Sequence, residues 1–150
     1  MMASPHTLMG LGDGGAHVGL ISDGSFTTYL LSHWGRDRAQ GKMSVATLIK
    51  MQCADNAAFI GLHDRGKIEV GLKADINVID FDQLMVDAPE IVYDLPAGGK
   101  RLMQRAQGYT ATIVSGKVVT QDGVHTGELP GRLVRSPHAA AVKATAHTNP

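Results

Sequence analysis

Asp13 and His17 are the residues whose types and spacing first suggest chemistry. They lie four positions apart in the glycine-rich stretch GLGDGGAHVG, residues 10–19. This stretch follows and overlaps the short apolar run TLMGL, residues 7–11. A carboxylate at the carboxyl end of a barrel strand can accept a proton from a metal-bound water. An Asp among glycines also hydrogen-bonds nearby backbone amides, which would make Asp13 a structural brace. Both interpretations stay open on these residues alone.

The same stretch contains the glycine spacing of a dinucleotide-binding loop. Gly10, Gly12 and Gly15 satisfy G-x-G-x-x-G. That site also requires a helix that begins at once and an acidic residue about 20 positions later, at the end of a second strand. Neither is clear in the sequence, and the negative charge of Asp13 would repel a pyrophosphate. The spacing therefore does not favour nucleotide binding.

A second group of polar side chains lies in TYLLSHWGRDR, residues 28–38. Arg36 and Arg38 follow His33 and Trp34 there, and a guanidinium can hold a carboxylate by two parallel hydrogen bonds. Such a cluster more often closes the end of a helix. Arg36 and Arg38 are therefore secondary candidates for a substrate pocket.

The hydrophobic spacing predicts two helices that follow the glycine-rich stretch. The run at residues 7–11 suits a buried strand that leads into that stretch. One helix begins at Ser25 and a second begins near Ser44, and both serines are plausible N-caps. The second helix should break near Asp55 and Asn56, and the single Cys53 lies in its apolar part, where a buried free thiol is the common outcome.

After Gly66 the sequence predicts β-structure. Residues 75–81, 109–114 and 117–121 are rich in β-branched side chains and read as strands. Ser115-Gly116 has the length of a hairpin loop, and Asp122-Gly123 marks the next turn. Residues 88–99 contain two prolines, so they predict an edge segment or a wrapping loop rather than a central strand.

Composition excludes several classes of function. The chain has 150 residues, 43% of them hydrophobic, which suits one ordinary core. Lys and Arg together number 14, as do Asp and Glu, so no basic surplus is present to bind a nucleic acid. No apolar run reaches the roughly 18 residues of a membrane span, and no secretion signal is recognisable. We expect a cytoplasmic protein with no nucleic-acid or membrane partner.

Several motifs in order resemble the amidohydrolase superfamily. GKIEVGLKADINVIDFD, residues 66–82, is similar to the segment that follows the barrel in these proteins. With GLGDGGAHVG, TYLLSHWGRDR and VYDLPAGGKRLMQRAQGYTATIVSGKVV, it resembles the C-terminal part of the N-acyl-D-amino-acid deacylases, or D-aminoacylases. The resemblance implies an α/β plus β fold that is truncated relative to the family. Residues 1–65 would hold strand eight and the following helices of a (β/α)8 barrel, residues 66–131 part of a small β-sandwich, and residues 132–150 a mobile tail.

The resemblance also implies roles for individual residues. Asp13 matches the strand-eight aspartate, which contacts the zinc site, takes a proton from the zinc-bound water and returns one to the leaving amine. Asp13 is therefore the candidate catalytic residue and, by family analogy, a metal ligand. His17 lies in the same loop, so it would help to shape the pocket in an accessory or structural role, with metal ligation as the alternative. Asp75 would brace the turn into its strand.

The chain departs from the family in its metal ligands. Family members bind zinc through residues on earlier strands, including a His-x-His pair, whereas this sequence has seven histidines and neither His-x-His nor His-x-x-x-His. A catalytic zinc site usually needs three protein ligands, so we expect no zinc on this chain alone and no activity in isolation. A homo-oligomer, or a companion chain that supplies the missing strands, would complete an enzyme for small N-acyl amino acids. The alternatives are a non-catalytic assembly or binding module and a hydrolase assembled across an oligomer.

Overall fold

The first helical segment comes directly after the glycine-rich stretch. In the computed structural model, which describes residues 2, 4–15, 19–20 and 23–135, it comprises a 3₁₀ turn (Asp23–Ser25), an α-helical turn (Phe26–Tyr29) and a π-helical stretch (Leu30–Asp37). This confirms the predicted helix. The Ser25 cap is wrong, because its hydroxyl donates to Oε1 of Gln104 instead of accepting from the helix.

The second helical segment runs from Val45–Lys50 (α) through Met51–Asp55 (π) to Asn56–Phe59 (α). Ser44 is its N-cap, since its Oγ accepts the backbone N–H of Thr47 at 3.1 Å. The predicted break at Asp55 and Asn56 is wrong. The Asn56 side chain donates to the carbonyls of Gln52 (3.2 Å) and Met9 (2.6 Å), so it ties the helix to the N-terminal residues and leaves the helical backbone continuous. Cys53 is exposed, not buried.

One four-stranded antiparallel sheet forms the β-layer next to these helices. Its strands follow the order β1 (Ile76–Ile79), β6 (Tyr109–Val114), β7 (Lys117–Gln121) and β8 (Val124–His125). The three predicted strands are thus confirmed. Ser115-Gly116 and Asp122-Gly123 form two-residue hairpin loops, and all four residues have positive φ, as turns that match the twist of paired strands require.

Two small ribbons complete the β-structure. β2 (Met85–Val86) pairs with β5 (Ala106–Gln107), and β3 (Glu90–Leu95) pairs with β4 (Gly99–Met103) across a 3₁₀ turn at Pro96–Gly98. Every strand of a two-stranded ribbon is an edge, which confirms the prediction for residues 88–99.

The strand predicted over residues 7–11 is wrong. These residues are irregular, and the paired strands of the described chain all lie between residues 76 and 125. A strand needs a neighbour to satisfy its backbone groups, and here the carbonyl of Met9 accepts instead from the Asn56 side chain.

The core is small and lies where the helices meet the turn between β1 and β2. Leu30, Leu31, Leu48 and Leu84 are buried there, with Trp34, Phe81, Tyr109 and others packed at their edges. A close approach of Gly108 to Leu84 holds that turn in place. A Cβ on Gly108 would lie 2.7 Å from the Cα of Leu84, and the glycine has a φ of +88°. Among the described residues, no helix has the length and apolar character to cross a membrane.

Candidate functional site

The acid loop, residues 10–15, lies against the start of the first helical segment. Its Asp13 N–H donates to Oδ2 of Asp23 at 2.9 Å, while the Asp13 residue itself is exposed. Glycine eases the packing at two positions because the backbones approach closely. A Cβ on Gly12 would lie 3.1 Å from the carbonyl oxygen of Asp23, and one on Gly14 would lie 3.0 Å from the backbone nitrogen of Gly24. The loop is thus shaped by this contact, with Asp13 at its surface.

The acid loop brings the Asp13 residue close to the carboxylate of Asp23, and these two do not make a complete metal site. In the part of the chain that the structure describes, no group of three His, Cys, Asp or Glu side chains is close enough to hold a metal ion. A catalytic zinc site needs about three protein ligands, so these residues do not fit a complete one. The candidate pocket residue His17 lies outside the described residues.

Arg36 fixes the turn between β1 and β2. Its Nε–H and one Nη2–H donate to the Asp37 carboxylate at 2.6 and 3.1 Å, and the other Nη2–H donates to the carbonyl of Leu84 at 2.7 Å. The two Nη1–H groups donate to the carbonyls of Phe81 and Asp82. A guanidinium has five N–H donors, and all five are used here, so none remains for a substrate carboxylate in this arrangement. The hydrogen bond and charge of Arg36 also lower the pKa of Asp37.

Arg38 belongs to a stack of side chains along the first helical segment. Its Cζ lies 4.0 Å from the centroid of the Trp34 ring, a cation–π contact. The His33 ring meets Trp34 edge-on at 5.9 Å and lies parallel to Tyr29 at 4.8 Å. Tyr29 lies four residues before His33, which places the two side chains on one helix face. Arg38 thus packs on an aromatic ring, and its Nη1 reaches the Gly41 carbonyl at 3.5 Å.

Asp75 braces the entry to the four-stranded sheet, as expected. Its carboxylate accepts the N–H of Ser115 at 2.9 Å, pairs with Lys73 and lies 3.8 Å from Nη1 of Arg65. Burial, the largest single influence, raises the pKa of Asp75. The hydrogen bonds from Lys73 and Ser115 and the charges of Lys73 and Arg65 outweigh it, so the net pKa is lowered. Asp75 therefore ties the segment before β1 to the β6–β7 turn as an ionised carboxylate.

Of the predicted site residues, Asp13, Arg36 and Arg38 lie in the described part of the chain, and they do not meet in one cavity. The described part of the chain contains clefts of about 660, 390, 380 and 250 Å³, and none of these four is lined by Asp13, Arg36 or Arg38. Arg36 lies at the turn after β1, and Asp13 lies beside the helix start. As described, these side chains do not form one constellation.

A comparison with protein families shows to which family the chain belongs. Residues 1–120 of its 150 match the sequence pattern described as the Amidohydrolase family. The chain belongs to the amidohydrolase family. The matched region contains the acid loop, both helical segments and most of the four-stranded sheet.

A comparison with solved structures shows which amidohydrolases this chain resembles. It is similar to a D-aminoacylase mutant in complex with CuCl₂ and to a D-aminoacylase whose crystal structure is described as defining a novel subset of amidohydrolases. Each is 26% identical with a TM-score of 0.53, and each alignment covers 68% of this chain and 19% of the solved chain. The comparison with curated proteins found no match. The D-aminoacylase-type resemblance is confirmed, and the chain spans about a fifth of the length of those structures.

Proposed function

We propose that this amidohydrolase chain is part of an enzyme that hydrolyses the amide bond of N-acyl amino acids, of the D series, or of related amides. The observation that carries the proposal is the family match over residues 1–120, which includes the acid loop. Similarity to two D-aminoacylase structures supports the substrate class. In the assembled enzyme, residues 1–65 belong to the end of a (β/α)8 barrel and residues 66–131 to a small β-sandwich.

Asp13 is the proton acceptor in this proposal. Its carboxylate is exposed and its backbone is held by Asp23, so it presents a base from a fixed loop. Zinc is the metal that the family resemblance implies, and Asp13 is the ligand that this resemblance assigns to the chain, where no group of three metal-ligating side chains gathers among the described residues. The remaining ligands would come from polypeptide outside the described residues, and the 150-residue chain is inactive by itself.

The same proposal implies that this chain associates with a second polypeptide chain. Large apolar side chains stand exposed on the described surface, including Leu11 at 96%, Val70 at 103% and Ile68 at 86%. Contiguous exposed apolar area favours contact with another chain, and in this proposal such a contact covers these side chains. The partner is a second copy or a companion that supplies barrel strands. Light scattering at tens of micromolar should therefore show oligomers, or a complex when the companion is added, and a compact monomer under both conditions would contradict it.

A non-catalytic binding module derived from an amidohydrolase is the second candidate. The observation that favours it is that no group of three metal-ligating side chains gathers among the described residues, so their fold does not depend on a complete zinc site. A module of this kind would keep the fold and a defined partner while making no demand for zinc.

Turnover of a reconstituted enzyme distinguishes the two, because a binding module gives none, and the Asp13→Asn variant then tests the role of Asp13. The variant is made in an enzyme reconstituted from this chain and the upstream segments of an amidohydrolase barrel, and assayed on N-acetyl-D-amino acids. General acid–base catalysis contributes about 10²–10⁴-fold, so turnover should fall by about that factor. The control is Asp122→Asn, which removes a carboxylate from the exposed β7–β8 turn and should leave turnover unchanged. Equal turnover in the Asp13→Asn enzyme and the unmodified enzyme would remove Asp13 from the mechanism.

A further inference from the structure

A charged cleft of about 660 Å³ lies at the end of the four-stranded sheet where the β6–β7 turn is located. We call it the arginine cleft. It is formed by residues 61–65 after the second helical segment, by Lys73 and Asp75 before β1, by Val114 and Ser115 at the turn, and by residues 131–135. Its volume lies in the range of small-molecule sites, about 300–1,000 Å³. No residue of the acid loop lines it.

One wall of the arginine cleft is a preformed ionic network. Arg65 makes two hydrogen bonds to the Asp64 carboxylate, at 2.8 and 3.0 Å, and Lys73 pairs with Asp75. Three of these side chains are largely shielded, with exposed fractions of 21% for Arg65, 26% for Lys73 and 32% for Asp75. The Ser115 N–H holds Asp75 from the turn. These charges are therefore fixed before any ligand binds.

Residues 131–135, which also line the cleft, add positive charge that the network does not balance. Arg132 and Arg135 line the cleft, and the ion pairs of residues 23–135 involve neither of them. Among the lining side chains, four carry a positive charge (Arg65, Lys73, Arg132, Arg135) and two carry a negative charge (Asp64, Asp75). Counted over these six side chains, the cleft has an excess of two positive charges.

We propose that the arginine cleft binds a dianionic oxyanion, of the kind carried by a phosphate monoester. A phosphate group carries a charge of about −1.5 to −2 at pH 7, which matches the excess of positive charge in the cleft. A single carboxylate carries only one negative charge. The planar guanidinium groups of Arg132 and Arg135 can each give two parallel hydrogen bonds to such a group. This site is separate from the acid loop, so it does not depend on the proposed hydrolytic function.

Inorganic phosphate is the probe, titrated into the 150-residue chain at constant ionic strength and followed by amide chemical shifts. We expect saturable shifts at Ser115 and Gly131, which line the cleft. Arg132→Gln and Arg135→Gln should each weaken phosphate at least tenfold. The control Arg105→Gln removes the same charge from an exposed arginine that pairs with Glu90 at 3.3 Å on the small ribbons, and it should leave affinity unchanged. Amide spectra of each variant without ligand establish that it is folded.

Two further anions test whether the cleft selects a dianion or binds any anion. Sulfate, a dianion, should compete with phosphate, and acetate should not compete at the same ionic strength. Acetate that binds as tightly as phosphate would overturn the dianion assignment. Shifts that do not saturate, or an equal loss of affinity in Arg105→Gln, would overturn the site itself.

Discussion

The backbone N–H of Asp13 donates a hydrogen bond to the carboxylate of Asp23, ten residues later, at 2.9 Å. One acidic residue is thus held by another at the backbone, and the Asp13 carboxylate does not take part in this bond. Gly12 and Gly14 allow the approach because a Cβ at either position would press on residues 23–24. The loop therefore presents Asp13 from a position that the first helical segment defines.

Removing the Asp23 carboxylate should loosen the acid loop. In Asp23→Ala the Asp13 amide loses its acceptor, and a hydrogen bond worth about 1 kcal/mol corresponds to about fivefold faster amide exchange. Asp23→Asn keeps an oxygen that can accept the same N–H and should exchange nearly as slowly as the unmodified chain. Amide exchange measured by NMR checks this. Identical exchange of Asp13 in the alanine variant and the unmodified chain would show that the bond does not order the loop.

Gly108→Ala should destabilise the chain far more than Gly116→Ala. Both glycines have positive φ, +88° and +78°, so both substitutions strain the backbone. Only at Gly108 would the Cβ meet backbone, 2.7 Å from Cα and 2.8 Å from N of Leu84, which is fully buried. Overpacking of this kind costs about 1–3 kcal/mol beyond the shared strain. Urea unfolding of the two variants measures the difference in the free energy of unfolding. Equal losses of stability would mean that the turn at Leu84 shifts to admit the added Cβ at little cost.

The stabilisation from Asp75 should disappear in acid. Its folded-state pKa lies below the ordinary value of 3.8, so its contribution to the free energy of unfolding is present above that pH and is lost as pH falls below it. Asp75→Asn should therefore be less stable than the unmodified chain at pH 7, and the gap should shrink at pH 3. The exposed-turn variant Asp122→Asn controls for general charge effects. A gap that stays constant between the two pH values would contradict an ionised brace.

Arg36 should act on stability because its donors serve the turn between β1 and β2. Arg36→Lys lacks the planar fork and should lower the melting temperature, and Arg36→Ala should lower it further. Arg105→Ala, at an exposed ion pair, is the matched control and should have a smaller effect. Calorimetry gives the order of the three variants. Melting temperatures of both Arg36 variants equal to that of the control would reopen a ligand role for this arginine.

Local signals account for the parts of the fold that the sequence predicted. The hairpin at Ser115-Gly116 follows from two positive-φ positions between β-branched runs, and the Ser44 cap follows from an oxygen that reaches an N–H three residues on. The wrong expectations depended on distant partners. Ser25 binds Gln104, 79 residues away, and Asn56 binds the Met9 carbonyl, 47 residues away. No local pattern contains such contacts.

The candidate site shows the same difference between local signals and contacts between distant residues. Asp13 was identified by resemblance, and its contact with Asp23 could not be read from the spacing because it depends on how the loop folds back. The arginine cleft brings residues 61–65 together with residues 131–135, whose charges look unremarkable when read along the chain. A sequence shows which charges are present, but the excess in one cleft appears only when distant segments meet.

The most direct test measures zinc in the purified, untagged and dialysed chain by plasma mass spectrometry, together with hydrolysis of an N-acetyl-D-amino acid. The chain is proposed to supply the acid of an amidohydrolase without a complete metal site, so zinc near zero and no turnover are expected. About one zinc ion per chain that survives dialysis, accompanied by hydrolysis, would contradict this, because a catalytic site with its usual three ligands would then be complete in this chain or its oligomer.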